Sequence, residues 1–89
     1  RPYDTGILLI GGEYFWLPPK RASITVTSTC TQQCTLSNFK DSVNITSAWN
    51  HMHYAGRQMN IQLFRNNSFL TNLTNEMAYN YDSPQVRTL

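Results

Sequence analysis

Apolar and polar residues alternate with a period of two along most of the chain, which predicts strands rather than helices. Across residues 22–29, Ile24 and Val26 alternate with Thr25, Thr27 and Thr29, and β-branched residues of this kind pack well on a pleated surface. A strand is expected there. Across residues 43–54 the same rhythm puts Val43, Ile45, Ser47, Trp49, His51 and His53 on one face. Asn44, Thr46, Ala48, Asn50, Met52 and Tyr54 fall on the other. Residues 59–65 read as a third strand. Asn66-Asn67 and residues 68–73 follow, and asparagine tolerates the positive φ of a tight turn, so the segment predicts a hairpin. Earlier, residues 5–10 and 13–17 flank Gly11-Gly12, and Pro18-Pro19 interrupts pairing before the 22–29 strand. Residues 37–42 read as a surface loop. No stretch has the pattern of an amphipathic helix of ten or more residues. The expected fold is all-β, an antiparallel β-sandwich of jelly-roll-like type.

Length and composition narrow this picture. A chain of 89 residues is one domain or part of one, because single cores are comfortable at about 100–150 residues. We read residues 1–89 as one partial domain. The chain opens on Arg1 rather than Met and shows no basic-then-apolar leader, so any signal peptide is expected outside it. The formal charge of +2 is scattered and gives no phosphate-binding stripe, so a nucleic acid partner is not expected. Apolar runs stop at Ile7-Leu8-Leu9-Ile10, well short of the about 18 residues of a membrane span. Few charges and many Asn, Gln, Ser and Thr fit an extracellular β-protein. Three acceptor sequons, at Asn44, Asn66 and Asn72, point to glycosylation and secretion.

His51-Met52-His53 is the sharpest chemical signal. On a strand, residues i and i+2 point the same way with Cα atoms about 6.5–7 Å apart, so two imidazoles can face one metal ion. Neutral imidazole suits copper or zinc. These are the only histidines in the sequence, and a stable centre needs at least a third donor. Met52 points off the histidine face, while spacing does not constrain Met59 or Met77; core packing is the plainer role for all three. Cys30 and Cys34 are spaced CxxxC, which reads as disulfide chemistry rather than a zinc or redox CxxC motif. Spacing alone leaves open whether they pair with each other or with cysteines elsewhere. Asp4, Glu13, Asp41, Glu76 and Asp82 are not paired at acid–base spacing, which argues against a hydrolase. Gly11-Gly12 lacks the lysine and helix of a phosphate loop.

The segment His51-Met52-His53-Tyr54-Ala55-Gly56-Arg57 resembles the HxHxxGR motif of the copper type II, ascorbate-dependent monooxygenases of the dopamine beta-hydroxylase group. Upstream, Asp4-Thr5-Gly6, Gly11, Glu13-Tyr14 and Pro18-Pro19 resemble that family's opening strands. Cys30-Thr31 with Cys34-Thr35 resembles its CTxxCT turn, and Arg65 and Val86-Arg87-Thr88-Leu89 continue the match. Rival metal folds fit less well. A cupin would place a glutamate where Arg57-Gln58 stand, and a metallo-beta-lactamase would continue as HxHxDH. The peptide-amidating branch carries an arginine two residues before the first histidine, where this chain has Trp49. The dopamine-type or dopamine-hydroxylase-like branch is the better match.

The resemblance implies a C-terminal catalytic domain whose copper binds dioxygen and abstracts hydrogen from an aliphatic C–H of a small amine-type substrate. A second copper, on an N-terminal domain of the same protein, stores an electron, and ascorbate is the reductant. By the same resemblance His51 and His53 are two of three protein ligands, and a methionine further downstream is the third. Glu76-Met77 imitates the acidic-Met context of that ligand but follows His53 too closely. The resemblance also implies that Cys30 and Cys34 pair with cysteines further downstream. Trp49, on the histidine face, is a candidate substrate contact, although a packing aromatic is the plainer reading. These 89 residues alone are expected to bind copper weakly and to be inactive. A secreted, non-catalytic β-sandwich binding module that keeps the histidine pair is the alternative. The expected location is extracellular or the lumen of the secretory pathway.

Overall fold

The computed structural model describes residues 4–12 and 15–89. Glu13 and Tyr14, expected in an early strand, lie outside the described residues. The chain divides into two units, residues 1–43 and residues 44–89.

Among the described residues of the first unit the regular element is helix α1, Gln32–Asn38. Thr31 caps it, accepting the Cys34 N–H at 3.3 Å on its hydroxyl, which satisfies one of the donors that a helix start leaves unpaired. Ser37 and Asn38 side chains donate back to the carbonyls of Gln33 and Cys34. The stretch expected as a turn running into a loop is therefore a short capped helix, and the 37–42 loop begins only after Asn38. The cap places Cys34 in the first turn with its Cα 5.2 Å from that of Cys30, and the two form a disulfide. That separation is ordinary for a disulfide. The pairing corrects the expectation that both cysteines reach downstream partners. Neither residues 5–10 nor residues 22–29 join a sheet among the described residues. Alternation specifies the faces of a strand but supplies no partner, and a single strand without a ladder is not a sheet. Lys20, after Pro18-Pro19, adopts φ 61°.

The second unit is all-β and antiparallel. Strand β1 is Ser47–Trp49, β2 Met59–Arg65, β3 Ser68–Glu76 and β4 Val86–Thr88. β1 pairs with β4, with Trp49 opposite Val86, while β2 and β3 form the expected hairpin; the two sheets adjoin where β1 approaches β3. Asn66 and Asn67 turn the hairpin with φ 52° and 63°, the paired positive φ of a type I′ turn. Register shifts occur between Ile61 and Gln62 and between Leu63 and Phe64, so β3 carries an extra residue at each and bends. The expected 43–54 strand is paired only over Ser47–Trp49. Beyond it the backbone is held by side-chain bonds and a turn.

Among the described residues no hydrophobic side chain is buried, and the buried residues are Asn50 and Thr74. Phe64 and Phe69 meet edge to face across the hairpin with ring centres 5.8 Å apart, yet both stay half exposed. No helix among the described residues is long and apolar enough to cross a membrane.

Candidate metal centre

Past the end of β1 the alternation continues: Asn50 is buried, His51 exposed, Met52 half-buried and His53 exposed. Asn50 faces the hairpin and Met52 packs over Gly56, while the odd positions with Trp49 form the open face. Rings line that face. Trp49 and His51 have centres 5.4 Å apart, His51 and His53 5.3 Å with planes at 86°, and His53 and Tyr81 5.6 Å. Tyr81 also lies 4.3 Å from Tyr54, whose hydroxyl donates to Asp82 at 3.3 Å.

Three anchors hold this segment in place. Asn50 reaches into the hairpin, where it accepts the Thr74 hydroxyl at 2.8 Å and donates to the Met59 carbonyl at 3.4 Å. Thr74 Oγ1 in turn accepts the Ile61 N–H at 3.0 Å, beside the first register shift. Tyr79 supplies the second anchor: its hydroxyl accepts the Met52 N–H at 3.0 Å and donates to the Met52 carbonyl at 2.8 Å. Its own N–H donates to the Arg57 carbonyl at 2.7 Å. The third is a turn in which the Gly56 N–H reaches the His53 carbonyl at 2.9 Å. Arg57 Nη1 ties that turn down through the Tyr54 and Gly56 carbonyls, at 2.8 and 3.2 Å.

Gly56 is required by packing. A Cβ there would sit 2.5 Å from Met52 Cβ and 2.8 Å from its sulfur, so Met52 covers the glycine and its thioether is turned from the histidine face. Beyond the hairpin, Arg87 of β4 pairs with Glu76 at the end of β3. The Arg87 hydrogen bond and charge hold the Glu76 carboxyl below its ordinary range, despite some desolvation, and the guanidinium is raised in return.

The donor set fits a copper ion as far as it goes. A metal–imidazole bond is about 2 Å, which puts two rings sharing an ion roughly 4.5–6 Å apart between centres. The observed 5.3 Å lies in that range. Among the described residues no group of three or more His, Cys, Asp or Glu could hold a metal, so the pair offers two ligands. Met77 is 61% exposed.

The structure thus brings His51, His53 and Trp49 together and leaves Cys30 and Cys34 in the other unit. Asn44, Asn66 and Asn72 are exposed. Asn50, Thr74 and Tyr79 were not among the sequence candidates. Nothing local singles out Asn50, because Asn44 and Thr46 on the same alternating face are polar as well. Tyr79 gives no local signal, since its partner lies 27 residues away.

The family profile of the copper type II ascorbate-dependent monooxygenases, C-terminal domain, matches residues 3–89. The protein named MOXD1 homolog 1 from Drosophila melanogaster is 30% identical over 93 residues, covering 100% of this chain and 13% of that relative. The chain thus spans about an eighth of the length of the curated relative it matches. No solved structure shows significant similarity. A match over nearly the whole chain, on a segment whose two histidines share an open face, makes this chain a member of the copper type II ascorbate-dependent monooxygenase C-terminal domain family.

Proposed function

We propose that His51 and His53 are two protein ligands of a copper ion in a monooxygenase that hydroxylates an aliphatic C–H of a small amine-type substrate, using O2 and ascorbate. The observation that carries this reading is the pair of exposed imidazoles, 5.3 Å apart on one face, a side-chain type suited to copper. Copper, when bound, would supply the dioxygen and one-electron chemistry.

The chain's own residues perform the positioning. Asn50 fixes the backbone before His51, and the Gly56–Arg57 turn fixes it after His53. Trp49 is the substrate contact in this reading, supported by its ring beside His51 and its half exposure. A third donor, and the N-terminal copper domain that delivers the second electron, belong to the full-length protein. The 89 residues alone bind copper weakly and are inactive, because two imidazoles leave a copper ion short of donors. A disulfide at Cys30–Cys34 supports an oxidising secretory compartment, with glycans at the exposed Asn44, Asn66 and Asn72.

The test is copper content and ascorbate-dependent O2 consumption in the full-length protein with His51→Ala and His53→Ala. Each substitution is expected to remove about one copper equivalent and turnover. Full copper loading and turnover in the double variant would exclude both residues as ligands, whereas a wild-type full-length protein without copper or turnover would favour the non-catalytic module.

A further inference from the structure

We infer that Tyr79 is a positioning residue that sets the relative direction of the two histidine rings; this rests on the proposed role of His51 and His53 as ligands. One phenolic hydroxyl meets both backbone groups of Met52, accepting its N–H at 3.0 Å and donating to its carbonyl at 2.8 Å. The Met52 N–H belongs to the peptide plane shared with His51, and the Met52 carbonyl to the plane shared with His53. A single oxygen therefore fixes both planes that link the two ligands.

A neighbouring strand would normally provide these two bonds. Here β1 ends at Trp49 and β4 reaches only as far as Val86 opposite it, so Met52 has no ladder partner and the phenol takes its place. Tyr79 is itself held. Its N–H donates to the Arg57 carbonyl at 2.7 Å, and its side chain is half-buried. Two residues on, Tyr81 lies edge-on to His53 with ring centres 5.6 Å apart. The segment after β3 thus holds the histidine pair through both backbone and ring.

The experiment compares Tyr79→Phe with Glu76→Gln in the full-length protein, reading copper affinity, the Cu(II) electron paramagnetic resonance spectrum and thermal stability. Glu76→Gln breaks a polar tie of the same unit, the pair with Arg87, neither member of which makes a hydrogen bond to residues 50–57. Tyr79→Phe is expected to weaken copper at this centre about 10–100-fold, as loss of an orienting partner does elsewhere, and to change the spectrum. Glu76→Gln is expected to leave both unchanged. If affinity falls in both variants in proportion to lost stability, or in neither, Tyr79 has no positioning role. Should the Tyr79→Phe protein not fold, 3-fluorotyrosine at position 79 keeps the ring and makes the hydroxyl a stronger donor and weaker acceptor. An unshifted spectrum with that residue overturns the inference. Loss of copper on His51→Ala or His53→Ala checks the ligand reading separately. If copper survives those substitutions, the ligand reading fails whatever Tyr79 does.

Discussion

Thr74 donates its hydroxyl hydrogen to Asn50 Oδ1 at 2.8 Å while its oxygen accepts the Ile61 N–H at 3.0 Å, and both side chains are buried. This pair couples the bulged hairpin to the backbone that enters His51, so a fault in the hairpin is felt at the histidines. Thr74→Val keeps the shape and removes both bonds, leaving Asn50 Oδ1 and the Ile61 N–H without partners. Each buried group left unpaired costs about 1–3 kcal/mol. The full-length protein should unfold at lower urea concentration with an unchanged slope, and an unmoved midpoint would show that the pair contributes nothing.

Gly56→Ala tests packing rather than polarity. The new Cβ would lie 2.5 Å from Met52 Cβ, a separation that backbone must relieve, and overpacking of this kind costs about 1–3 kcal/mol. Because the other side of Met52 is tied to Tyr79, the relief should displace His51 and His53 and weaken copper. Met52→Ala retains the clashing Cβ and should not rescue the variant, whereas Met52→Gly should restore part of the copper affinity. Equal rescue by alanine and glycine would locate the clash in the thioether instead.

The ion pair between Glu76 and Arg87 gives a pH dependence of known sign. Arg87 lowers the Glu76 pKa in the folded protein, so the contribution is present above the unfolded carboxylate value of about 4.3. It is lost as pH falls through the depressed folded value. Both groups are solvent-accessible, so the effect is small. Urea midpoints of wild type and Glu76→Gln should differ slightly at pH 7 and converge in acid. A gap that widens below pH 4 would contradict this assignment.

Much of the second unit was legible in the sequence because its signals are local. Asn66-Asn67 announces the hairpin through its turn geometry, and strict alternation puts Trp49, His51 and His53 on one face whether or not a strand partner exists there. The limits of β1 were not legible, since alternation over residues 43–54 does not say where a partner strand stops. The same holds for residues 22–29, which alternate well yet join no sheet among the described residues. The helix at Gln32–Asn38 was missed because its start depends on one Thr31 hydroxyl and its seven residues are too few to show a period. Tyr79 could not be found at all, because nothing local marks an aromatic residue whose hydroxyl serves a backbone 27 positions earlier.

Trp49 offers a prediction about selectivity. It lies opposite Val86 at the end of β1, half exposed, with its ring 5.4 Å from His51. A side chain at this half-exposed position therefore reaches the volume beside the proposed copper. An arginine here would put a fixed positive charge in place of an apolar ring, and guanidinium pairs bidentately with carboxylates. In the full-length protein Trp49→Arg should raise KM for amine-type substrates, through like-charge repulsion and lost ring contact. Relative kcat/KM should move toward carboxylate-bearing substrates by about tenfold, the effect of roughly 1.4 kcal/mol in one charge-assisted contact. Copper content should stay at the wild-type level, because Trp49 donates nothing to the metal. Competition assays with paired amine and carboxylate substrates measure the shift directly. Unchanged selectivity at full copper loading would mean that Trp49 faces solvent rather than substrate.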